Sequence, residues 1–300
     1  MSSDATSSDA ISSDNLTRLA VGYLATPSGN DGVALAVAVA QATGAAIDLI
    51  CVVKPVPYDG HPGLDQYQER LENQAAEWLA EGANLVPDGI ELRTVVTVNE
   101  AFSDGIVEVA EQSGAAMIIV GGTGDGILSR HTLGTVSTEL LHSSPLPVLL
   151  APRGYAGRTG VKLDMITVAV PLKENASDPL PFALGLAELA HLDLRLMSLV
   201  SIEAKLDDET NRQAREYQVS VAQELLAKTR ESVAPGLDVD VVVADGDSLD
   251  DALDNLRWDQ NDLVAVGSGH LGEPQRVFLG STAARILRWT TAPVLVVPKS

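Results

Sequence analysis

The feature that most constrains the fold of this 300-residue chain is an internal duplication. Three short segments recur in the same order 146 positions later: Val120-Gly121 as Val266-Gly267, Leu133-Gly134-Thr135 as Leu279-Gly280-Ser281, and Pro147-Val148-Leu149 as Pro293-Val294-Leu295. A constant spacing of this kind indicates two copies of one structural unit. Each copy has the length of an ordinary domain, so the chain is predicted to contain two domains in tandem.

The predicted boundaries follow from this duplication and from local composition. Residues 1–16 begin with three near-copies of a Ser-Ser-Asp pentapeptide, whose polar and acidic character predicts a disordered tail. The two domains cover residues 17–152 and 163–300. A linker that contains three glycines, Gly154, Gly157 and Gly160, covers residues 153–162 between them.

Short apolar runs alternate with segments of helical periodicity throughout both copies. In the first copy, strands are predicted at 19–24, 47–53, 91–98, 115–120 and 147–150, and the same order recurs in the second copy. The apolar runs are continuous, which is typical of strands that are buried on both faces. The sequence therefore predicts an α/β fold: two tandem five-stranded parallel sheets with helices on both faces, Rossmann-like in type.

A glycine-rich loop after the fourth strand is the strongest sign of a binding site. Gly121 ends a buried strand at its carboxyl edge, which is where ligands bind in open α/β sheets. Gly134-Thr135 then begins a helix whose free N–H groups and positive dipole end attract anions. The loop therefore predicts a phosphate site. It differs from a P-loop, because no Gly-Lys-Ser/Thr occurs, and from the dinucleotide fingerprint, because it follows the fourth strand and not the first.

The spacing of the glycines resembles the ATP-binding signature of the universal stress protein family. That signature is a glycine, two residues, a second glycine, nine residues, and then Gly-Ser or Gly-Thr, and Gly121, Gly124 and Gly134-Thr135 satisfy it. Together with the duplicated strand order, the signature identifies the chain as a tandem two-domain member of the family.

This resemblance implies a ligand and the residues that hold it. The ligand is ATP, with or without Mg²⁺, and Gly121 and Gly124 would lie against the ribose and the first phosphate. The residues implied for the distal phosphates are Gly134, Thr135, Val136 and Ser137. Nucleotide-binding members carry an aspartate just past the first strand, but this chain has Leu24 and Pro171 there, and Thr26 keeps a hydroxyl close by.

The second copy departs further from the signature. Its matching residues are Gly267, His270, Gly280 and Ser281, so a histidine replaces the second glycine. A Cβ at a position of close approach would obstruct the ligand. Gly267, Gly280 and Ser281 therefore form the weaker of the two expected sites, and nucleotide binding is expected in the first half.

No residue pattern indicates catalysis or a metal site. The Gly-x-Ser-x-Gly motif is absent, and the histidines lack metal-ligand spacing. The acidic pairs Asp207-Asp208 and Asp250-Asp251 precede or begin predicted helices, where negative charge offsets the helix dipole. The chain is therefore not expected to be an enzyme, although slow ATP hydrolysis, or adenylate formation on a related nucleotide-binding fold, stays open as a third alternative.

Charge and cysteine content limit the partners. A formal net charge of −21 repels phosphate backbones, so no nucleic acid partner is expected. No apolar segment is long enough to span a bilayer, and no membrane partner is expected. The single cysteine, Cys51, lies in an apolar run as a small buried hydrophobe, and we expect a cytoplasmic protein. In the family the fifth strands pair, which implies an intramolecular pseudo-dimer, with a homodimer as the alternative.

The sequence thus favours a cytoplasmic stress-response protein that senses ATP through its first-half glycine loop and acts as a regulator or adaptor. The alternative is a protein-interaction scaffold in which both sites are degenerate and the acidic surface recruits a regulatory protein partner. Leu24, Pro171 and His270 motivate this alternative.

Overall fold

A computed structural model describes most of the chain, and the statements below concern the residues that it describes. These are 16–57, 62–122, 134–158, 162–172, 177–202, 207–233, 237–256, 258–259, 261–269 and 276–299. Gly124, His270 and residues 1–15 of the predicted tail lie outside them. Leu16, which the prediction assigned to the tail, is buried in the hydrophobic core.

The secondary structure follows the predicted alternation in both halves. The first half contains β1 (Arg18–Gly22), α1 (Pro27–Thr43), β2 (Ala46–Val53), α2 (Pro62–Ala83), β3 (Leu92–Val98), α3 (Phe102–Ser113), β4 (Met117–Gly121), α4 (Thr135–Ser143) and β5 (Val148–Ala151). The second half contains β6 (Met165–Ala169), α5 (Leu180–Ala190), β7 (Asp193–Ser201), α6 (Asp208–Ser232), β8 (Val239–Gly246), α7 (Leu249–Asp254), β9 (Asp262–Gly267), α8 (Ser281–Trp289) and β10 (Val294–Val297).

The beginning of α1 differs from the prediction. The helical periodicity of the sequence predicts a start at about Asp31, but the helix begins at Pro27. Thr26 provides the N-cap and Pro27 occupies the first helical position, where its missing N–H is not needed. The Thr-Pro pair therefore extends the helix by one turn toward the end of β1.

The strands form one continuous ten-stranded sheet. Its order is β3-β2-β1-β4-β5-β10-β9-β6-β7-β8, and neighbouring strands within each half are parallel. The halves join where β5 and β10 pair antiparallel, with Leu149 opposite Leu295. The predicted pairing of the fifth strands within one chain is confirmed.

The helices cover both faces of this sheet, as predicted. On one face α1, α2, α5 and α6 bury Leu35, Leu79, Leu186 and Leu226. On the other face α3, α4, α7 and α8 bury Ile106, Leu140, Leu253 and Ile286. Cys51 is fully buried in the first of these cores, and burial raises the pKa of its thiol to about 11, so it behaves as the predicted hydrophobe.

The segment that connects the halves is anchored to both of them. Its short 3₁₀ turn, Tyr155–Gly157, packs on α1. The carboxylate of Asp31, buried within α1, accepts the N–H groups of Gly154 and Ala156 at 2.8 Å each. On the other side, the Arg158 guanidinium donates to the carbonyl oxygen of Thr291 at 2.8 Å.

Candidate functional site

The strand order defines one crevice in each half. In the first half, β1 lies between β2 and β4, so the chain connections that follow β1 and β4 run in opposite directions from the carboxyl ends of these two adjacent strands. In the second half, β6 lies in the same way between β7 and β9. Open α/β sheets bind their ligands at such switch points. The two candidate sites therefore lie beyond the ends of β1 and β4 and beyond the ends of β6 and β9.

The strand-end glycines, Gly121 and Gly267, allow a very close backbone contact in both crevices. A Cβ on Gly121 would lie 1.8 Å from the carbonyl oxygen of Ser28, in the first turn of α1. A Cβ on Gly267 would lie 2.0 Å from the carbonyl oxygen of Ser177. No side chain fits at either distance, so these glycines have a packing role that does not depend on a ligand.

The N-terminus of α4 lies at the first crevice without a side-chain cap. Gly134 is its N-cap residue in an extended conformation, and as a glycine it has no side chain that could cap the first turn. The first N–H groups of a helix have no partner within the helix, so those that follow Gly134 can hold an anion. The Ser137 side chain is buried, and its hydroxyl donates to the Gly121 carbonyl at 3.4 Å, which ties this turn to the end of β4.

The structure thus brings most of the predicted first-half residues to one edge of the sheet. Gly121, Gly134 and the turn Thr135, Val136 and Ser137 lie together there, while the position of Gly124 lies outside the described residues. Because the Ser137 hydroxyl donates to the Gly121 carbonyl, its O–H is not available as a donor to a phosphate.

Thr26 has a role that the sequence analysis missed. Its hydroxyl accepts the N–H of Gly29 at 3.1 Å and caps α1, so the helix start fixes its position, while its O–H group remains a donor. The Thr-Pro pair at a helix start is the signal that indicates this role. Leu24, just before it, exposes 43% of its surface and gives this end of the crevice an apolar character.

The second crevice is closed by its own backbone. The Ser268 hydroxyl accepts the Phe278 N–H at 2.6 Å, and the Gly269 N–H donates to the Phe278 carbonyl at 2.7 Å. As a result Gly269 touches the N-cap residue of α8: a Cβ on Gly269 would lie 2.9 Å from the Gly280 Cα. Gly267, Gly280 and Ser281, the residues predicted for the second site, are close together, but this folded-back segment lies among them.

One residue distinguishes the two crevices in a way that the sequence analysis did not notice. The position of Ser268 in the second half is Gly122 in the first, 146 residues earlier. Both residues donate their backbone N–H to the fifth strand of their half, Gly122 to Ala151 and Ser268 to Val297. Only Ser268 has the hydroxyl that fixes the segment before the next helix, so the Gly-to-Ser difference was a readable signal.

A second set of charges lies toward the amino ends of the strands, on the opposite edge from the crevices. Asp48 is fully buried and forms salt bridges with Arg18 at 2.7 Å and Arg93 at 2.6 Å. Burial alone would raise the pKa of this carboxyl, but the hydrogen bonds from Arg93 and Arg18 outweigh it and lower the pKa. These charges stabilise the sheet and take no part in the crevice.

The remaining polar residues that the sequence singled out lie at helix ends. The Asp207 carboxylate accepts the Thr210 N–H at 3.0 Å and caps α6, and Ser248 forms a capping box with Asp251 at the start of α7. The predicted place of both acidic pairs at helix starts is therefore confirmed. His142 lies at the end of α4, and His191 is the C-cap of α5.

The described part of the chain contains neither a metal-binding cluster nor a membrane-spanning helix. Within it, no group of three or more His, Cys, Asp or Glu side chains is placed to hold a metal ion. None of its helices combines the length and the apolar character that a membrane span requires.

Sequence comparison gives matches along almost the whole chain. The universal stress protein family matches twice, at residues 16–152 and 163–298. A universal stress protein of Mycobacterium tuberculosis (strain H37Rv) is 28% identical over 290 residues, which are 93% of this chain and 99% of that protein. A universal stress protein of Mycobacterium bovis matches with the same identity and the same coverage.

Solved structures show the same architecture. A universal stress protein from Archaeoglobus fulgidus superposes with a TM-score of 0.65 at 19% identity, covering 94% of this chain and 98% of that one. A protein of unknown function from Pseudomonas aeruginosa PAO1 has a TM-score of 0.56 at 17% identity, covering 94% and 92%. At these identities the likeness concerns the fold. The two family matches, one over each half, show that the chain belongs to the universal stress protein family and contains two tandem copies of its domain.

Proposed function

We propose that this protein is a cytoplasmic nucleotide sensor that binds one ATP per chain at the first crevice and acts as a regulator or adaptor, not as a turnover enzyme. The observation that carries the proposal is the N-terminus of α4, which has no side-chain cap and is tied by Ser137 to Gly121 at the ligand edge of the sheet.

The chemistry of this helix end suits a polyphosphate. Helix N-termini attract phosphate through unpaired N–H groups and the positive end of the dipole. No cationic side chain is needed for this, which matters in a chain of net charge −21. Because the surrounding field opposes an anion, ATP would bind here with Mg²⁺, which reduces the charge of the ligand.

The adenine end predicts weak affinity. Leu24 offers apolar contact to a base, and the Thr26 hydroxyl, which caps α1, is a neutral group and does not replace the carboxylate of an aspartate. Loss of a hydrogen bond to a charged acceptor is worth roughly 1.5–3 kcal/mol, so binding should be about tenfold to a hundredfold weaker than in a site that keeps the aspartate. Weak binding is suited to a sensor, since its occupancy then follows changes in nucleotide concentration.

The second crevice is proposed to stay empty. Ser268 and Gly269 hold the segment before α8 against the strand end, so the α8 N-terminus faces protein backbone where the α4 N-terminus would face the ligand. This asymmetry is why we propose one nucleotide per chain.

Isothermal titration of the full chain with Mg-ATP tests the proposal. We expect one site per chain, and we expect Gly134→Val to abolish it, because a branched side chain at the N-cap position would occupy the place of the phosphate. Thr138→Val, one turn along the exposed side of α4, is the matched control and should bind as the wild type does. Circular dichroism checks that both variants are folded. If Gly134→Val bound ATP normally, the nucleotide site would have to lie elsewhere.

The second candidate function is the interaction scaffold, and one observation favours it. α3 presents Asp104, Glu108 and Glu111 along a cavity of about 480 Å³, which Arg276 of the second half also lines. Such an acidic row suits a basic protein partner. In this case millimolar Mg-ATP would give no heat and no change in thermal stability. Steady phosphate release in the same solution would instead indicate a turnover enzyme.

A further inference from the structure

The segment before α8, residues 276–279, belongs to the second half but bonds to the first. The N–H of Val277 donates to the Ser144 carbonyl at 2.8 Å. The N–H of Leu279 donates to the Leu141 carbonyl at 2.9 Å. Both acceptors lie at the C-terminal end of α4, the helix whose first turn forms the proposed phosphate site. We call residues 276–279 the strap, because they connect the two halves at this point.

The two bonds take the place of an ordinary helix ending. The last four carbonyl groups of an α-helix have no partner within it, and a residue in the left-handed conformation often helps to satisfy them. α1 and α3 end in this way at Gly44 and Gly114. α4 ends instead at Ser144, whose backbone is in the β region (φ −63°, ψ 131°), and Pro145 follows. The strap therefore caps the C-terminus of α4 from the other half of the molecule.

The middle residue of the strap is fixed to the end of β9. The Phe278 N–H donates to the Ser268 hydroxyl at 2.6 Å, and the Phe278 carbonyl accepts the Gly269 N–H at 2.7 Å. The bonds thus alternate along the strap: Val277 and Leu279 bond the first half, and Phe278 bonds the second. Because these three residues form one short piece of backbone, a shift that breaks the bonds on one side also disturbs those on the other.

Side chains add to the contact between the strap and α4. Val277 is fully buried in the same core as Leu140 and Leu141 of α4, so a shift of the strap would leave a buried N–H without a partner. The rings of Phe278 and His142 meet edge to face, with centroids 5.3 Å apart and planes at 88°. This is a favoured geometry for an aromatic pair, so it also resists movement of the strap.

α4 depends on such tertiary contacts for its order. It has nine residues, and isolated helices shorter than about 12–15 residues are marginal in water. The Ser137 hydroxyl ties its first turn to Gly121, and the strap holds its other end. The orientation of its first N–H groups is therefore set from both ends, and one of these ends is held by the second half.

We propose that the second half positions the phosphate-binding turn of the first half through this strap. The proposal rests on the function proposed above, because it concerns the same helix. Val277, Phe278 and Leu279 are in this view positioning residues, which act on a ligand only through α4. The closed second crevice then has a role that requires no nucleotide, since Ser268 holds the strap on which the first site depends.

Hydrogen exchange in the ligand-free full chain, measured by NMR, tests whether the strap orders α4. Ser268→Ala removes only the hydroxyl that holds the strap. We expect exchange at the Leu279 and Thr138 amides to become about fivefold faster, which corresponds to the loss of one hydrogen bond. The Thr138 N–H bonds the carbonyl of the N-cap residue, so it reports the first turn of α4. The matched control is Ser248→Ala, which removes the capping hydroxyl of α7 in the same half and should leave the Thr138 rate unchanged.

Isothermal titration of the same variants with Mg-ATP tests whether the strap matters for binding. Ser268→Ala should bind about fivefold more weakly than the wild type, and so should His142→Ala, which removes the ring that faces Phe278. His142→Phe keeps an aromatic ring against the strap and should restore binding. Ser248→Ala should bind as the wild type does, although it also loses a stabilising cap, so a general loss of stability would not reproduce this pattern.

Two outcomes would overturn the proposal. If Ser268→Ala and Ser248→Ala gave the same exchange rate at Thr138, the strap would not order α4. If both Ser268→Ala and His142→Ala bound Mg-ATP as tightly as the wild type, the strap would hold the helix without positioning the site. Absence of Mg-ATP binding by the wild type would contradict the proposed function itself, while the exchange comparison would still decide whether the second half orders α4.

Discussion

The two halves share one strand order, yet they place opposite charges at equivalent positions of the sheet. In the first half, Asp48 of β2 stands opposite Arg93 of β3, and in the second, Arg195 of β7 stands opposite Asp240 of β8. The first pair is close and bidentate, and the second is 4.0 Å apart. The two neighbouring strands carry opposite charges at this position in both halves, although the acidic and basic residues have changed places. The next strand also differs, since it supplies Arg18 in the first half and Met165 in the second.

The carboxyl edges give a different lesson. Gly121 and Gly267 make the same close backbone contact, whereas Gly122 and Ser268, the next residues, differ. The residue that packing requires is therefore present in both copies, and the serine whose hydroxyl bonds the Phe278 N–H is present in one.

The largest expected effect comes from Gly121→Ala and Gly267→Ala, which test the shared part of this comparison. Each new methyl group would collide with a carbonyl oxygen, of Ser28 or of Ser177, and a rigid backbone cannot yield as a side chain can. We expect each variant to lose about 3 kcal/mol of unfolding free energy in urea titrations. A large loss in one half and none in the other would show that the packing is not equivalent.

An intermediate effect, opposite in sign between the halves, is expected for Asp48→Asn and Asp262→Asn. The lowered pKa of Asp48 means that its ionised form stabilises the fold above the ordinary value of 3.8, and that this stability is lost as the pH falls through the folded-state pKa. Burial raises the pKa of Asp262, which has the reverse effect, since stability falls as the pH rises from 3.8 through its folded-state value.

At pH 7 we therefore expect Asp48→Asn to lose about 2 kcal/mol, discounted because both partner arginines are partly exposed, and Asp262→Asn to gain up to about 1 kcal/mol. Both differences from the wild type should shrink as the pH is lowered toward 3. Urea denaturation at a series of pH values measures them. The contrast fails if both variants are destabilised equally at every pH.

The smallest expected effect is that of Ser268→Gly, which removes the hydroxyl that closes the second crevice. The buried hydroxyl bonds the Phe278 N–H, so we expect a loss of about 1 kcal/mol and faster hydrogen exchange at the Phe278 amide. The reciprocal variant, Gly122→Ser, should keep its stability and reduce Mg-ATP affinity. Unchanged exchange at Phe278 would show that Gly269 alone holds the segment.

Much of the fold could be predicted from the sequence because the strong signals are periodic and repeated. The apolar runs gave the strands and their order, and the duplication led to the pairing of β5 with β10. Helix boundaries were harder: α1 begins earlier than its apolar period, because the cap at Thr26 and the proline after it act locally. Leu16 was assigned to the tail because the residues before it are polar, and its burial in the core is not visible in the sequence.

The candidate site was less predictable, because its chemistry depends on which groups are already bonded. The sequence located Gly121 and the helix that begins after Gly134, but it could not show that the Thr26 hydroxyl caps a helix or that the Ser137 hydroxyl bonds Gly121.

The antiparallel seam between β5 and β10 has a consequence for how such a protein can diverge. In a dimer of two identical subunits, any substitution appears on both sides of the interface. Such a dimer also dissociates into its subunits when the protein is diluted. Here the partners are covalently joined through a segment that Asp31 and Arg158 hold in place, so each meets the other at a local concentration on the order of millimolar or higher, whatever the amount of protein. One half can therefore change its surface residues while it keeps its strand pairing with the other half.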